Sequence, residues 1–454
     1  MVERKETDRP NVIWIFGDQH RGQALGCAGD PNLYTPNLDR MACEGLQFPC
    51  ALSGAPLCTP HRGCLLTSRY AHECAPDNGD PIPEGMPTIS TVLRKHGYRT
   101  CYLGKWHLAG TENRRGGWKK LVPEFQRSDW DEWLGYDNNN KQWDCWVHGG
   151  SGDEFIHYRL DKYETDALTD MLISRLEGWA REQKEGSGKP FFSVLSVQPP
   201  HSPYAAPPEW MQRHNAGTVE LRPNVPPVDW VRERARRELA GYYSQIENLD
   251  WNVGRVWETL QRTGLYENTV VMFFSDHGDM HGSQGRFNKT VPWEESIKVP
   301  CIIAGERVKY GSGGGRRDSL LNHVDLAPTT LGLCGLPVPE EMRGFDYSAF
   351  WTERARTLEG EPDSAYLQQC APRSLPPWRG IITRDGWKYA AFNGAPWLMY
   401  NLNDDPYETM NVVHLSHYFE ERRRLHRRLR QWIDDVDDGF DLPTLVEGRR
   451  YVTV

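Results

Sequence analysis

The sequence predicts an α/β fold: a large, mostly parallel sheet sandwiched by helices over residues 1–350, then a smaller C-terminal α+β subdomain with an antiparallel sheet over residues 351–454. Three observations predict it. Short β-branched and aromatic runs alternate with long helical stretches, the order that covers both faces of a parallel sheet with helices. After about Phe350 the spacing tightens into closely successive strand-like pieces, as antiparallel pairing requires. Reactive polar residues recur just past strand ends, where open α/β sheets collect ligands.

The elements follow in order. Asn11 to Phe16 (NVIWIF) is a continuous apolar run that suits a buried parallel strand. Thr35-Pro36 opens a helix, with Thr as N-cap and Pro in the first turn, and Gly45 stops it. Leu46 to Ala51 reads as a further strand, Thr88 to His96 as a helix closed by Gly97, and Arg99 to Leu103 as a strand. A helix over roughly 163–185 leads into the strand Phe191 to Val197, and a longer one over about 232–263 into the strand Thr269 to Phe274. Val299 to Ile303 and a helix after Asp325 close the pattern. In the C-terminal part, Ala365 to Gln369, Gly380 to Thr383, Trp387 to Ala391 and Trp397 to Tyr400 are short strands, followed by a charged helix near 418–434. The Trp-rich stretch from Trp130 to Trp146 has no clear period and reads as a long loop or insertion.

Composition narrows the function. Charged residues make up 25% and hydrophobic ones 38% of the 454 residues, the balance of a folded globular chain. A net charge of -9 disfavours a nucleic-acid partner, because phosphate neutralisation needs a basic surface, yet it permits a local cationic pocket for a small anion. No run has the apolar length of a membrane span, so no membrane partner is expected. The opening MVERKETDRP is polar, without a secretory pattern, and points to the cytoplasm. The 11 cysteines form neither CxxC pairs nor a disulfide framework, so most are expected to be reduced and buried.

The strand ends carry the chemistry. Asp18 and Gln19 follow the first strand, Lys105 and His107 the Arg99 strand, His201 the Phe191 strand, and Asp276 and His277 the Thr269 strand. Any one of these is more often a turn or capping residue. Their recurrence at the same end of one sheet is what argues for a site. Asp18, Asp276, His277 and the Gln19 amide make an oxygen-rich donor set with one nitrogen, which suits Ca²⁺, Mn²⁺ or Mg²⁺ better than a thiolate-bound zinc. Lys105, His107, His201 and, further on, Lys289 add cationic groups. Together they outline a receptor for a tetrahedral oxyanion.

One of the cysteines differs from the rest. Cys58-Thr59-Pro60-His61-Arg62 fits C-x-P-x-R, although the same letters also describe a buried Cys before a helix beginning at Pro60. Together with NVIWIFGD at 11–18, TPNLDRMACEGLQF at 35–48, CTPHRGCLLTSRY at 58–70, GKWHL at 104–108, Pro200-His201, SDHG at 275–278 and LNDDP at 402–406, it closely resembles the type I sulfatases of the alkaline phosphatase superfamily. The resemblance covers most of the chain. It implies the sulfatase-like version of the fold and an enzyme, a sulfuric ester hydrolase. In that family the cysteine is oxidised by a formylglycine-generating maturation enzyme to Cα-formylglycine, whose hydrate is the nucleophile. Carried over, it implies a divalent metal, Ca²⁺ first, held by Asp18, Asp276, His277 and an oxygen of modified Cys58. Gln19 stands where many members have a second Asp, so it brings an amide oxygen without charge. Arg62 would orient the formylglycine. Lys105, His201 and Lys289 would bind the sulfate, with His201 as general acid and His107 taking the proton from the second hydroxyl.

Two rivals stay open at this stage. Phosphonate monoester hydrolases and related phosphodiesterases share C-x-P-x-R and a DQ pair like Asp18-Gln19, whereas the Lys and His of GKWH are typical of sulfatases. A non-catalytic binder of sulfated glycans is the other, if Cys58 is never modified. The expected substrate is a sulfated carbohydrate, with a small aryl or alkyl sulfate behind it. Trp130, Trp133, Trp143, Trp146, Trp378 and Arg379 are candidates to line its pocket, with Trp146 and its neighbours equally placed as loop-packing residues. His20, Arg21, His61 and His281 receive no role.

Overall fold

The computed structural model describes residues 9–110, 121–310, 314–373 and 375–445. Its centre is a ten-stranded sheet. The strands in chain order are β1 (Asn11–Asp18), β2 (Leu46–Gln47), β3 (Arg99–Lys105), β4 (Glu132–Tyr136), β5 (Trp146–Gly149), β6 (Ile156–Arg159), β7 (Phe191–Pro200), β8 (Thr269–Ser275), β9 (Cys301–Ala304) and β10 (Gly315–Arg316). They lie in the order β10-β2-β9-β8-β1-β7-β3-β4-β5-β6. The central run from β8 through β1, β7 and β3 to β4 is parallel, and antiparallel pairs with β9 and β5 flank it. All residues of β1 are buried, as expected for a strand covered on both faces.

Strand alternation divides the core. Val12, Trp14 and Phe16 of β1 face the helices Cys58–Thr67, Ile89–Lys95 and Leu326–Leu333 through Leu65, Val92, Leu93 and Leu331. Ile13 and Ile15 face the helices Pro36–Glu44, Glu164–Lys184 and Asp229–Thr263 through Leu38, Leu172, Val253 and Leu260. The sheet is therefore sandwiched, as the sequence predicts.

A second sheet of four antiparallel strands follows: β11 (Ser364–Gln369), β12 (Trp378–Thr383), β13 (Trp387–Phe392) and β14 (Ala395–Asn401). The helix Phe419–Asp435 packs on it through Leu425, Leu429 and Ile433. Tyr366, Ile381, Tyr389 and Met399 join the same apolar cluster as Trp14 and Phe16, so one core runs through both sheets.

Several expectations are corrected. The strand after Gly45 covers only Leu46–Gln47. The long helix starts at Asp229 rather than Arg232. Thr35 precedes the helix at 36–44 but does not cap it with its side chain; its hydroxyl accepts from Gly26 N (2.9 Å) and donates to Asp39 (3.0 Å). The helix bearing Cys58 begins at Cys58 itself, two residues before Pro60. The stretch from Trp130 to Trp146 is a loop only over 137–145, because β4 and the start of β5 extend the main sheet on either side of it. Gly135 explains why the pattern is hidden. It pairs with Gly104 across β3 and β4, and a Cβ on it would sit 2.1 Å from the Gly104 carbonyl oxygen. A glycine required for close approach leaves a gap in the apolar alternation.

The second sheet is clamped to the first part of the chain by a buried ion cluster. Lys388 on β13 donates to Glu294 (2.8 Å) and Glu408 (2.6 Å) and is fully buried. Lys388→Met removes the cation that bridges Glu294 and Glu408, leaving Glu294 only Lys298 (3.6 Å). It is expected to lower the unfolding free energy by about 3–5 kcal/mol, read by chemical denaturation.

Candidate active site

The carboxyl ends of the parallel strands converge where β1 has β8 on one side and β7 on the other, with β3 next to β7. β1 ends on Asp18, β3 on Lys105, β7 runs into His201, and β8 runs into Asp276 and His277. The helix Cys58–Thr67, wholly buried, presents Cys58 in its first turn to this point. Lys289 arrives from the loop after β8.

Asp18, Cys58, Asp276 and His277 each direct one donor atom inward, all within 4.8 Å of one another. Cys58 Sγ lies 3.3 Å from His277 Nε2, 3.3 Å from Lys289 Nζ and 3.6 Å from Asp18 Oδ1. His277 Nδ1 is turned to the Gly278 carbonyl (3.1 Å), which directs Nε2 inward. Gly278 has its own reason to be glycine. Its N–H donates to the Ser296 carbonyl (2.8 Å), and a Cβ there would meet the Glu295 carbonyl oxygen at 2.0 Å.

Cations surround the carboxylates. Lys105 Nζ donates to Asp18 Oδ2 at 2.5 Å. Arg62 Nη2 bridges Asp18 (3.4 Å) and Asp276 (3.5 Å), while its Nη1 is anchored by Ser196 Oγ and the Lys105 carbonyl, both at 2.8 Å. Burial would raise the carboxyl of Asp18, but Lys105 and then Lys289 overcome it and hold it well below the usual range. Asp276 goes the other way: burial and the adjacent Asp18 charge push it up to about 6. Burial and Asp18 oppose ionisation of the Cys58 thiol, yet Lys289, Lys105 and His277 bring it well below its ordinary value.

The remaining sequence candidates fall into place unequally. Lys289 Nζ also donates to Gln19 Oε1 (2.7 Å), so the Gln19 oxygen faces the cluster. His201 is half-buried at the edge, its Nδ1 held to the Ser202 carbonyl at 2.7 Å; burial and then Lys289 push it down to about 4. His107 is buried, with a left-handed φ of 59°, and its carbonyl accepts from Thr59 Oγ1 (2.8 Å), tying it to the residue after Cys58.

Most of the proposed pocket aromatics are not available for a ligand. Trp130 and Trp133 are buried in the core, against Phe192 and His148 respectively. Trp378 is fully buried and braces the lysine loop through the Thr290 carbonyl (3.0 Å). Arg379 is buried on Asp438 (2.6 Å). Trp146 is half-buried against His157. Trp143 remains, 46% exposed and packed on Tyr163, and its neighbour Gln142 donates to the His201 carbonyl (3.0 Å). His20, Arg21, His61 and His281 are all buried; His20, for example, is spent on the Ala24 carbonyl (2.8 Å).

Sequence reasoning passes over Ser196, Tyr204 and Asp279. Ser196 anchors Arg62, while Tyr204 and Asp279 hold the Gln19 amide. Asp279, two residues past His277, was the one with a sequence signal. The eleven cysteines are free, as expected, and no described helix is long and apolar enough to cross a membrane.

Comparison with known proteins agrees with this geometry. Residues 10–336 match the family model described as Sulfatase, and residues 282–435 match that described as N-sulphoglucosamine sulphohydrolase, C-terminal. The chain is similar to an ulvan-active sulfatase of Formosa agariphila, 31% identical over 96% of this chain and 84% of the relative. It is similar to an endo-4-O-sulfatase of Bacteroides thetaiotaomicron, 29% identical over 98% of this chain and 96% of the relative. Its fold superposes with a TM-score of 0.81 on a solved structure in complex with its substrate D-glucosamine-2-N,6-O-disulfate, at 22% identity and covering 95% of this chain and 99% of that one. The chain belongs to the sulfatase family, in the alkaline phosphatase superfamily, and is a sulfuric ester hydrolase.

Proposed function

We propose that the chain hydrolyses a sulfate monoester on a carbohydrate, with Cys58 matured to Cα-formylglycine as nucleophile. In this reading Asp18, Asp276, His277 and the residue-58 oxygen hold a hard divalent cation, Ca²⁺ before Mn²⁺ or Mg²⁺, with Gln19 as a further oxygen donor. The observation that carries the proposal is the buried convergence of Asp18, Cys58, Asp276 and His277 within a ring of Lys105, Lys289 and Arg62. The donor set fits such a cation: two carboxylates, an amide oxygen and one imidazole, with Cys58 Sγ standing in for a hydroxyl oxygen on the same carbon. A bound cation lowers the pKa of that hydroxyl and stabilises charge on the sulfate oxygens.

The protein's own groups do the rest. A hydrated aldehyde at residue 58 has one hydroxyl to attack sulfur and a second whose deprotonation expels sulfate; a thiol has no such exit. Lys289 and Lys105 approach this atom from the loop and from β3, and serve as the cradle for sulfate oxygens. Arg62, locked by Ser196 and the Lys105 carbonyl, keeps Asp18 and Asp276 together despite their repulsion. His201 is neutral at pH 7 beside Lys289, so it becomes a general acid for the leaving oxygen only once a bound sulfate has compensated the lysines. His107, stitched to Thr59, is assigned the proton of the second hydroxyl.

The carbohydrate assignment is supported by the named substrates of the relatives and by the exposed Trp143 beside the His201 segment. A panel of sulfated saccharides, with an aryl sulfate, an aryl phosphonate and a phosphodiester as controls, tests it. Highest kcat/KM on a saccharide sulfate is expected. A preference for the phosphonate or diester would reverse the substrate assignment and give the neutral Gln19 the meaning it has in the phosphonate hydrolases.

Cation binding carries a pH signature. Asp276 titrates at about 6 in the cation-free site, and its proton must leave before the oxygen can ligate. Burial alone would lower His277, but the Asp276 carboxylate outweighs it and raises it, so that proton must leave too, and affinity for Ca²⁺ is expected to fall by at least about tenfold per unit below pH 6, as measured by calorimetric titration.

A further inference from the structure

Gln19 supplies no charge, and an amide has two faces of opposite character: an oxygen that ligates cations and an NH₂ that repels them. Something must decide which face points inward. The surroundings of Gln19 show what does. Its Nε2 donates to Asp279 Oδ2 in a short contact and to Tyr204 OH at 3.3 Å, and Tyr204 OH in turn donates to the same Asp279 Oδ2 at 2.8 Å. Gln19 and Asp279 are buried and Tyr204 half-buried, and the triangle leaves Oε1 turned toward Lys289 Nζ and the Cys58 side of the cluster.

The backbone of Gln19 is fixed as well. It has a left-handed φ of 74°, its N–H donates to Asp276 Oδ1 (2.8 Å), and its carbonyl accepts from Tyr242 OH (2.9 Å). The only freedom left to the residue is in the side chain, and Asp279 takes it. The other Asp279 oxygen is already committed, accepting from the N–H groups of His281 (2.9 Å) and Asn288 (3.0 Å), which shape the loop leading to Lys289. His281 Nε2 stands 3.6 Å from Oδ2.

We propose that Asp279 is a positioning residue for the cation site: it holds the Gln19 amide with its oxygen inward, and it returns to the site, one residue removed, the negative charge that Gln19 lacks. This rests on the cation site proposed above. An acceptor behind the amide is needed because either amide orientation fills the same space, and among charged side chains a carboxylate accepts from NH₂ without offering a donor to the oxygen.

Asp279→Asn separates this role from loop shaping. The asparagine oxygen still accepts from His281 and Asn288, while its NH₂ replaces the oxygen that faced Gln19. In matured protein stripped of cation, calorimetric titration with Ca²⁺ alone is expected to show D279N binding about 10- to 100-fold more weakly than wild type. The double variant Q19D/D279N, which moves the carboxylate inward, is expected to regain most of that loss. D279N affinity within about twofold of wild type would overturn the inference, and so would a loss that Q19D does not repair, since that is the mark of a merely structural residue. Should D279N not fold, Tyr204→Phe removes the other corner of the triangle. It is expected to weaken Ca²⁺ binding in the same direction, and unchanged affinity would overturn the inference. Wild-type protein that binds no Ca²⁺, Mn²⁺ or Mg²⁺ would instead remove the cation site itself, and this role with it.

Discussion

Cys58→Ala is expected to lower kcat/KM on an aryl sulfate by about four orders of magnitude or more, with the fold intact. The size of the loss follows from the place of Cys58 in the site. Its Sγ lies 3.3 Å from both the His277 imidazole and the Lys289 ammonium, and it is the one thiol among the inward donors of the described residues. Removing the bond-forming atom leaves the cradle but no covalent route, which in other nucleophilic hydrolases costs about this much or more. The helix should survive the change, because it is held by its own burial along Leu65 and Leu66 and by Arg62, none of which depends on the thiol. Circular dichroism and the thermal midpoint check the fold, and steady-state rates check the loss. Cys58→Ser is expected to fall almost as far, since a serine hydroxyl gives no second hydroxyl to release the sulfate.

Asp18→Asn is expected to cost both activity and stability. Its carboxylate neutralises Lys105 at 2.5 Å and faces Arg62 and Lys289 at 3.4 and 3.9 Å, with no exposure to solvent. The amide keeps the shape and removes the charge, leaving these cations with Asp276 alone. The cation-free protein should lose about 3–5 kcal/mol, and turnover should drop about a thousandfold with the cation site broken. The pH dependence has a definite sign. The folded carboxyl lies below its unfolded value, so its contribution is fully present above about pH 5 and fades as pH falls through about 4 toward the depressed folded value. Denaturation curves of wild type and variant, taken without cation, should therefore differ at pH 7 and converge in acid.

The fold was legible where the chemistry of burial is regular. The uninterrupted apolar runs of β1, β7 and β8 are strands covered on both faces, and their periodicity cannot be mistaken for a surface segment. It was illegible where geometry demanded an exception. β4 is interrupted by Gly135, which must lie against Gly104, and β2 is only two residues long because the chain turns directly after it, Ala51 N donating to the Phe48 carbonyl at 3.1 Å.

The site divides in the same way. Asp18, Lys105, Asp276 and His277 could be read off because they close strands whose ends are fixed by the sheet. Tyr204 could not, and Asp279 only through its place two residues past His277, since both act through the Gln19 side chain, and the pairing brings together residues 19, 204 and 279 from separate loops. The tryptophans misled for a simpler reason. An indole is large enough to be either core or platform, and sequence gives its size but not its neighbours. Trp378 turned out to hold the Thr290 carbonyl next to Lys289, so it serves the site from behind rather than touching a sugar.

The most direct test of the central claim is the mass of the peptide containing Cys58, measured by mass spectrometry on protein whose turnover of a sulfate ester has been titrated. Conversion to formylglycine replaces the sulfur by oxygen and removes hydrogen, a change the spectrum resolves. The fraction of chains so converted should equal the fraction of active sites across preparations matured to different extents. Full turnover by chains that retain an intact thiol at Cys58 would contradict it.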